Sequence, residues 1–225
     1  MRSRFLAAVL PLAFAVAPLQ AQAPKTFSGP IAPKGNFGPT SLVDFGGRGI
    51  PTNAVQQGAY DGAQLFLSAT QRYSSPALTN DGAGTFFAMA GYSTGAPVNA
   101  PFAAWNFDYA VIGGGATSRF FTLFVDKDKG VGTTTLFAYN IDGRSTPIQD
   151  SSNLAYFGAP FDANDAGEYT FALYAYSDAA RTDELTHIAI NVDVAAVTAT
   201  PEPASLALLG TGLIGVAGFV RRRRA

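Results

Sequence analysis

His187 is the only histidine in the 225-residue chain, so any Ser-His-Asp hydrolysis would have to run through it. No Gly-x-Ser-x-Gly elbow is present. Alternation with Ile188 and Ile190 points His187 outward on a strand, where a solvated surface histidine is expected. A glycosidase needs two carboxylates flanking the scissile bond. Between the two ends of the chain Glu168 and Glu184 are the only glutamates, and most aspartates stand in turn contexts. Asp126-Lys127-Asp128-Lys129-Gly130 has the Asp-x-Asp-x-Gly spacing of a Ca²⁺ loop. The twelfth position is Phe137 rather than glutamate, and Lys127 and Lys129 offset the charge a cation would seek. Asp126 and Asp128 are therefore a weak Ca²⁺ candidate beside the reading as a charged turn, and no metal or cofactor is expected. Tyr174, Tyr176 and Trp105 are residue types that stack on sugars. The two tyrosines are expected to be exposed and Trp105 to lie in the core. With no cysteine, disulfides, thiol catalysis and cysteine-bound metals are excluded. No catalytic residue is assigned.

The elements that would position these residues read as strands. Leu65, Leu67 and Ala69 share one face of the run 64–70, and Trp105, Phe107, Tyr109 and Val111 repeat every second residue against Asn106 and Asp108. The same period recurs at Phe121, Leu123 and Val125, at Thr135, Phe137 and Tyr139, and at Tyr169, Phe171 and Leu173. It closes with Ile188, Ile190, Val192 and Val194. Period-two alternation separated by Asp61-Gly62, Asp81-Gly82 and Asp142-Gly143 predicts antiparallel sheet with one face buried. No stretch before the tail has a period of 3.6. Asp165-Ala166-Gly167-Glu168-Tyr169-Thr170-Phe171 resembles the tyrosine corner of immunoglobulin-like sandwiches, with Phe171 where antibody domains carry cysteine. The expected fold is all-β, an antiparallel β-sandwich of immunoglobulin-like or jelly-roll type.

The two ends differ from this body. Arg2 and Arg4, the apolar run 5–19 and the small residues Ala21 and Ala23 form a signal peptide over 1–23, with a signal peptidase site after Ala23. Residues 24–40 are a Pro/Gly-rich extended segment, 41–196 the sandwich domain and 197–203 a linker. The 17 residues 204–220 carry no charge, and as a helix at ~1.5 Å per residue they would form a short transmembrane span. Gly210, Gly212, Gly215 and Gly218 would weaken a helix in water. Arg221, Arg222, Arg223 and Arg224 follow at once and favour a cytoplasmic tail. Residues 24–200 hold nine basic and fifteen acidic side chains, a net charge of −6, which argues against nucleic-acid binding.

Pro201-Glu202-Pro203 precedes the apolar span. Neither proline donates a backbone hydrogen bond, and Glu202 is held out of the helical region by the proline after it, so the tripeptide runs extended. Pro201, Glu202 and Pro203, the span 204–220 and the arginine cluster, in that order at the C-terminus, resemble the PEP-CTERM sorting signal. The resemblance covers about 25 of the 225 residues. It implies processing by an exosortase, a multipass membrane cysteine protease of exopolysaccharide-producing Gram-negative bacteria. The expected course is export, transient anchoring in the inner membrane, then residence at the cell surface or outside the cell, in the setting of biofilm exopolysaccharide. A non-enzymatic surface or matrix protein is expected. An exopolysaccharide-binding module and a secreted hydrolase are the alternatives, the first marked by exposed aromatics and the second by converging carboxylates in a pocket.

Overall fold

In the computed structural model the described residues are 31–43, 54–60, 62–73, 76–93, 101–113, 120–132, 136–142, 147–158 and 160–197. They form two sheets packed face to face. The first has the order β1 (Asn36–Gly38), β2 (Val55–Tyr60), β3 (Ala63–Gln71), β6 (Trp105–Gly113) and β9 (Ile148–Ser152). The second runs β4 (Thr79–Asn80), β5 (Thr85–Met89), β11 (Glu184–Ala195), β10 (Gly167–Tyr176), β7 (Phe120–Asp126) and β8 (Leu136–Asn140). Among the described residues the one helical element is a 3-10 turn, Leu154–Phe157, capped by Asn153.

The alternating apolar residues meet between the sheets. Trp105, Phe107, Phe121, Leu123, Tyr169, Phe171, Ile188 and Ile190 are all 2% exposed or less and belong to one cluster drawn from both sheets. Burying each such side chain contributes roughly 1.5–3 kcal/mol. Phe107 stacks on Phe171 across the gap at 4.4 Å and 19°. Tyr169, at the start of β10, packs on Trp105 and Phe161, with ring centroids 5.7 Å away in each case. Burial pushes its phenol well above the usual range, and Asp165 adds to the shift.

The sheets are not wholly antiparallel as expected. β5 runs parallel to β11, with Thr85 beside Asn191 and Met89 beside Ala195. A parallel pair needs a long connection between its strands. The chain between β5 and β11 supplies one, because five other strands are laid down before it returns.

One lateral side of the molecule is laced shut. Lys34 exchanges two backbone hydrogen bonds of 3.0 Å with Ala189 of β11, and two residues later the same segment enters β1 and pairs with β2 of the other sheet. Gly35 makes this transfer at φ +132°, where a Cβ would stand 2.6 Å from the Gln57 carbonyl oxygen. Gly58 lets β2 meet β11 in the same way, since a Cβ there would lie 2.5 Å from Ile188 Cγ2. β1 thus falls inside the segment 24–40 that the sequence marks as extended.

Candidate functional site

The residues singled out by type do not converge. His187 faces outward from β11 as alternation predicts, but it is not solvated. Its ring stacks on Tyr174 at 4.4 Å and 10°, Nδ1 lies 2.5 Å from Glu184 Oε1 and 3.2 Å from Lys34 Nζ, and its side chain is 18% exposed. The register explains this correction, since His187 is the direct cross-strand partner of Tyr174. Glu168 and Glu184 stand at opposite ends of the β10–β11 pairing, which excludes a glycosidase pair between them.

Tyr174 and Tyr176 are buried, against the expectation that they stand exposed. They lie on the outer face of the second sheet with Phe124, Ala172 and Ala189, and Ile31, Phe120 and Leu136 pack against the group. Burial pushes both phenols up, with Glu184 adding to the shift. Trp105 is in the core as expected. Its neighbours Asn106 and Asp108 do point away from that core, yet they too are buried. Asp108 accepts from the Thr70 hydroxyl at 3.3 Å, its Oδ2 has no hydrogen-bond partner, and burial pushes its carboxyl up to about 7.

Asp126 and Asp128 sit at the end of β7. Asp126 Oδ1 accepts from the Asp128 amide at 3.2 Å, and Asp128 Oδ1 accepts from the Gly130 amide at 3.0 Å, the pattern of an Asx turn. Lys127 Nζ donates to the Phe157 carbonyl at 3.2 Å, and Lys129 Nζ pairs with Asp165 at 2.8 Å. Burial pushes the Asp126 carboxyl up to about 7, with the Asp128 charge adding to the shift. Among the described residues no three His, Cys, Asp or Glu side chains come together as metal ligands.

A site that residue types alone did not reveal lies on the lateral side away from Lys34. There β8 of one sheet and β9 of the other diverge around a cleft of ≈ 430 Å³ lined by Tyr109, Tyr139, Asp150, Ser151, Ser152, Tyr156 and Phe157. The register gives its construction. Tyr109 pairs with Asp150 and Phe107 with Ser152, so Asp150 and Ser152 continue the inner face of the first sheet. Leu123 pairs with Tyr139 and Val125 with Phe137, which continues the inner face of the second. Phe157, on the 3-10 turn, fills the base with ring centroids 5.8 Å from Phe107, 5.2 Å from Phe137 and 6.4 Å from Tyr139. Asp150 Oδ1 accepts from the Ser151 amide at 2.8 Å, and the Tyr109 hydroxyl donates to Oδ2 at 3.4 Å. The signal for this site is the inner-face series Ile148, Asp150, Ser152, an alternation that turns polar halfway along the strand.

The described residues thus define a two-sheet β protein with a lateral cleft. Residues 199–224 match the family model of the PEP-CTERM protein-sorting motif, so the chain carries that sorting motif. No curated protein and no solved structure matches the chain. The motif residues Pro201, Glu202 and Pro203, the arginines Arg221 to Arg224, the span 204–220 and the signal residues Ala21 and Ala23 lie outside the described residues. Among the described residues no helix is long and apolar enough to cross a membrane.

Proposed function

We propose that the chain is an exported surface or matrix protein that an exosortase processes at its C-terminal motif. The observation that carries this reading is the match over 199–224, which follows directly on a β domain ending at β11. In this mechanism a signal peptidase removes residues 1–23, the span 204–220 halts translocation and Arg221 to Arg224 hold its inner end at the cytoplasmic face. Pro201-Glu202-Pro203 is thereby presented, extended, at the outer boundary of the membrane. In a host with an exosortase, C-terminal mass spectrometry of the released form should find a chain ending near Pro203. Replacing Pro201, Glu202 and Pro203 with alanine should keep the anchor and block release, because alanine lets the helix extend outward. A released chain that still ends in Arg224-Ala225 would overturn the reading.

The β domain acts without catalysis, metal or cofactor. Support comes from His187, committed to Tyr174, Glu184 and Lys34, and from Asp150, the one carboxylate among the described residues that line the cleft. Of the two sandwich types, strand order favours the immunoglobulin-like one. β3-β6-β9 follows the A-B-E order, and β11-β10-β7-β8 the G-F-C-C′ order of that fold. The stacked Phe107 and Phe171 join β6 to β10, the two strands that the disulfide bridges in antibody domains. The molecular role the site favours is polysaccharide binding, because the cleft sets the exposed Tyr156 and the half-buried Tyr139 and Phe157 beside Asp150, Ser151 and Ser152.

A further inference from the structure

We infer that the open side between β8 and β9 binds a neutral, uncharged-sugar chain of several units, a reading that rests on the polysaccharide-binding role above. A pyranose ring presents an apolar face of C–H groups and a rim of hydroxyls, and it needs aromatic surface beside a small set of acceptors and donors. The cleft supplies both. Tyr156 on one side of the cleft is 64% exposed, and Tyr139 of β8 lines the other side half-buried. Between them lie Asp150, Ser152 and the hydroxyl end of Tyr109, whose ring is anchored in the core. A carboxylate accepts from two neighbouring sugar hydroxyls at once.

Length follows from what adjoins Tyr156. Its ring packs on Phe102 at 4.9 Å, the Arg72 guanidinium sits 4.6 Å over Phe102 and 4.6 Å over Tyr73, and Tyr73 is itself 53% exposed. Aromatic surface therefore continues past the cleft, which suits a polymer better than a single sugar. Neutrality follows from charge. Among the described residues no lysine or arginine lines the cleft. Of the described cations near its ends, the buried Arg72 donates one guanidinium nitrogen to Asn106 and lies over the two rings, and Lys127 donates to the Phe157 carbonyl and faces the Phe137 ring. A uronate would meet the Asp150 carboxylate, and no lysine or arginine among the described lining residues would pair its charge.

The test uses the full chain in zwitterionic micelles, which contain no sugar headgroups. Titration calorimetry is run with cellohexaose, laminarihexaose and mannohexaose as neutral probes and hexagalacturonate as the anionic one. At least one neutral probe should bind, Tyr156→Ala should weaken it about tenfold, and Met89→Ala, at an exposed position on β5 toward the opposite edge of the second sheet, should leave it unchanged. Circular dichroism of Tyr156→Ala checks the fold. Binding of hexagalacturonate alone, lost in Tyr156→Ala, would overturn neutrality and leave the polysaccharide role standing. Binding of none of the four, or binding indifferent to Tyr156→Ala, would overturn the site itself.

Discussion

The two lateral sides of the molecule use the same inner-face alternation and end it in opposite ways. On the Lys34 side the chain changes sheets, Gly35 and Gly58 let backbone and Ile188 approach closely, and the apolar layer is sealed by main-chain hydrogen bonds. On the Asp150 side none of the described strands pairs across from β8 to β9, and the inner face continues as Asp150, Ser152, Tyr139 and Phe137. A protein interior tolerates an inward carboxylate only where it is paired, protonated or reached by water or a ligand. The difference shows that sealing a sandwich edge demands small residues and exact backbone approach, whereas leaving it open frees the same positions for polar and aromatic side chains.

The largest effect should come from breaking the sealed side. Gly35→Ala adds a Cβ 2.6 Å from a backbone oxygen at a φ that L residues rarely adopt. Crowding and strain are each worth about 1–3 kcal/mol. Denaturant unfolding should show a loss of about 3 kcal/mol. A loss below about 1 kcal/mol would mean that the Lys34 crossing does not seal the edge.

A smaller effect is expected from pH, and it too separates the halves. Asp108 on β6 and Asp126 on β7 belong to the open half, and burial pushes both up to about 7. On the other half burial also acts on Asp81, but amide hydrogen bonds from Thr85, Ala83 and Gly84 outweigh it and hold that carboxyl below its ordinary value. An unfolded aspartate titrates near 3.9, so between about pH 4 and 7 the native state keeps protons that the unfolded state has released. Stability contributed by Asp108 and Asp126 is thus complete below about pH 4 and lost as pH rises through about 7. The melting temperature should fall from about pH 5 to about pH 8, and Asp108→Asn should reduce that fall. A melting temperature that climbs over the same range would contradict the burial of these carboxyls.

How far the sequence foretold this follows the same division. Six of the runs that alternate in sequence became strands with their apolar face inward, because burial of Phe107 or Ile190 is decided locally by period. The outer faces are more buried than their alternation predicts. Tyr174, Asn106 and His187 are buried or stacked by cross-strand partners, and pairing is a property of register rather than of the strand itself. The parallel β5–β11 pair was hidden for the same reason. Ile148-Gln149-Asp150-Ser151-Ser152 has the composition of a turn, and only its register against Val111 and Phe107 makes it the edge of a cleft. The sorting motif was legible because its signal is contiguous and needs no fold.

The smallest effect on stability should be that of Asp150→Ala, and it is the sharpest test of the open side. Asp150 is exposed on an edge strand, its Oδ1 serves only the neighbouring Ser151 amide, and the Tyr109 hydroxyl reaches Oδ2 at a long 3.4 Å. Removing such contacts from a solvent-accessible site should change unfolding by no more than about 0.5 kcal/mol. A secondary consequence has a definite sign. The Asp150 charge raises the Asp108 carboxyl, so its removal should lower that carboxyl and flatten slightly the decline in melting temperature with rising pH. A loss of about 1.5 kcal/mol or more would instead make Asp150 a strut of the edge. The open side would then be a second kind of seal, built from a carboxylate and a tyrosine where the Lys34 side uses backbone.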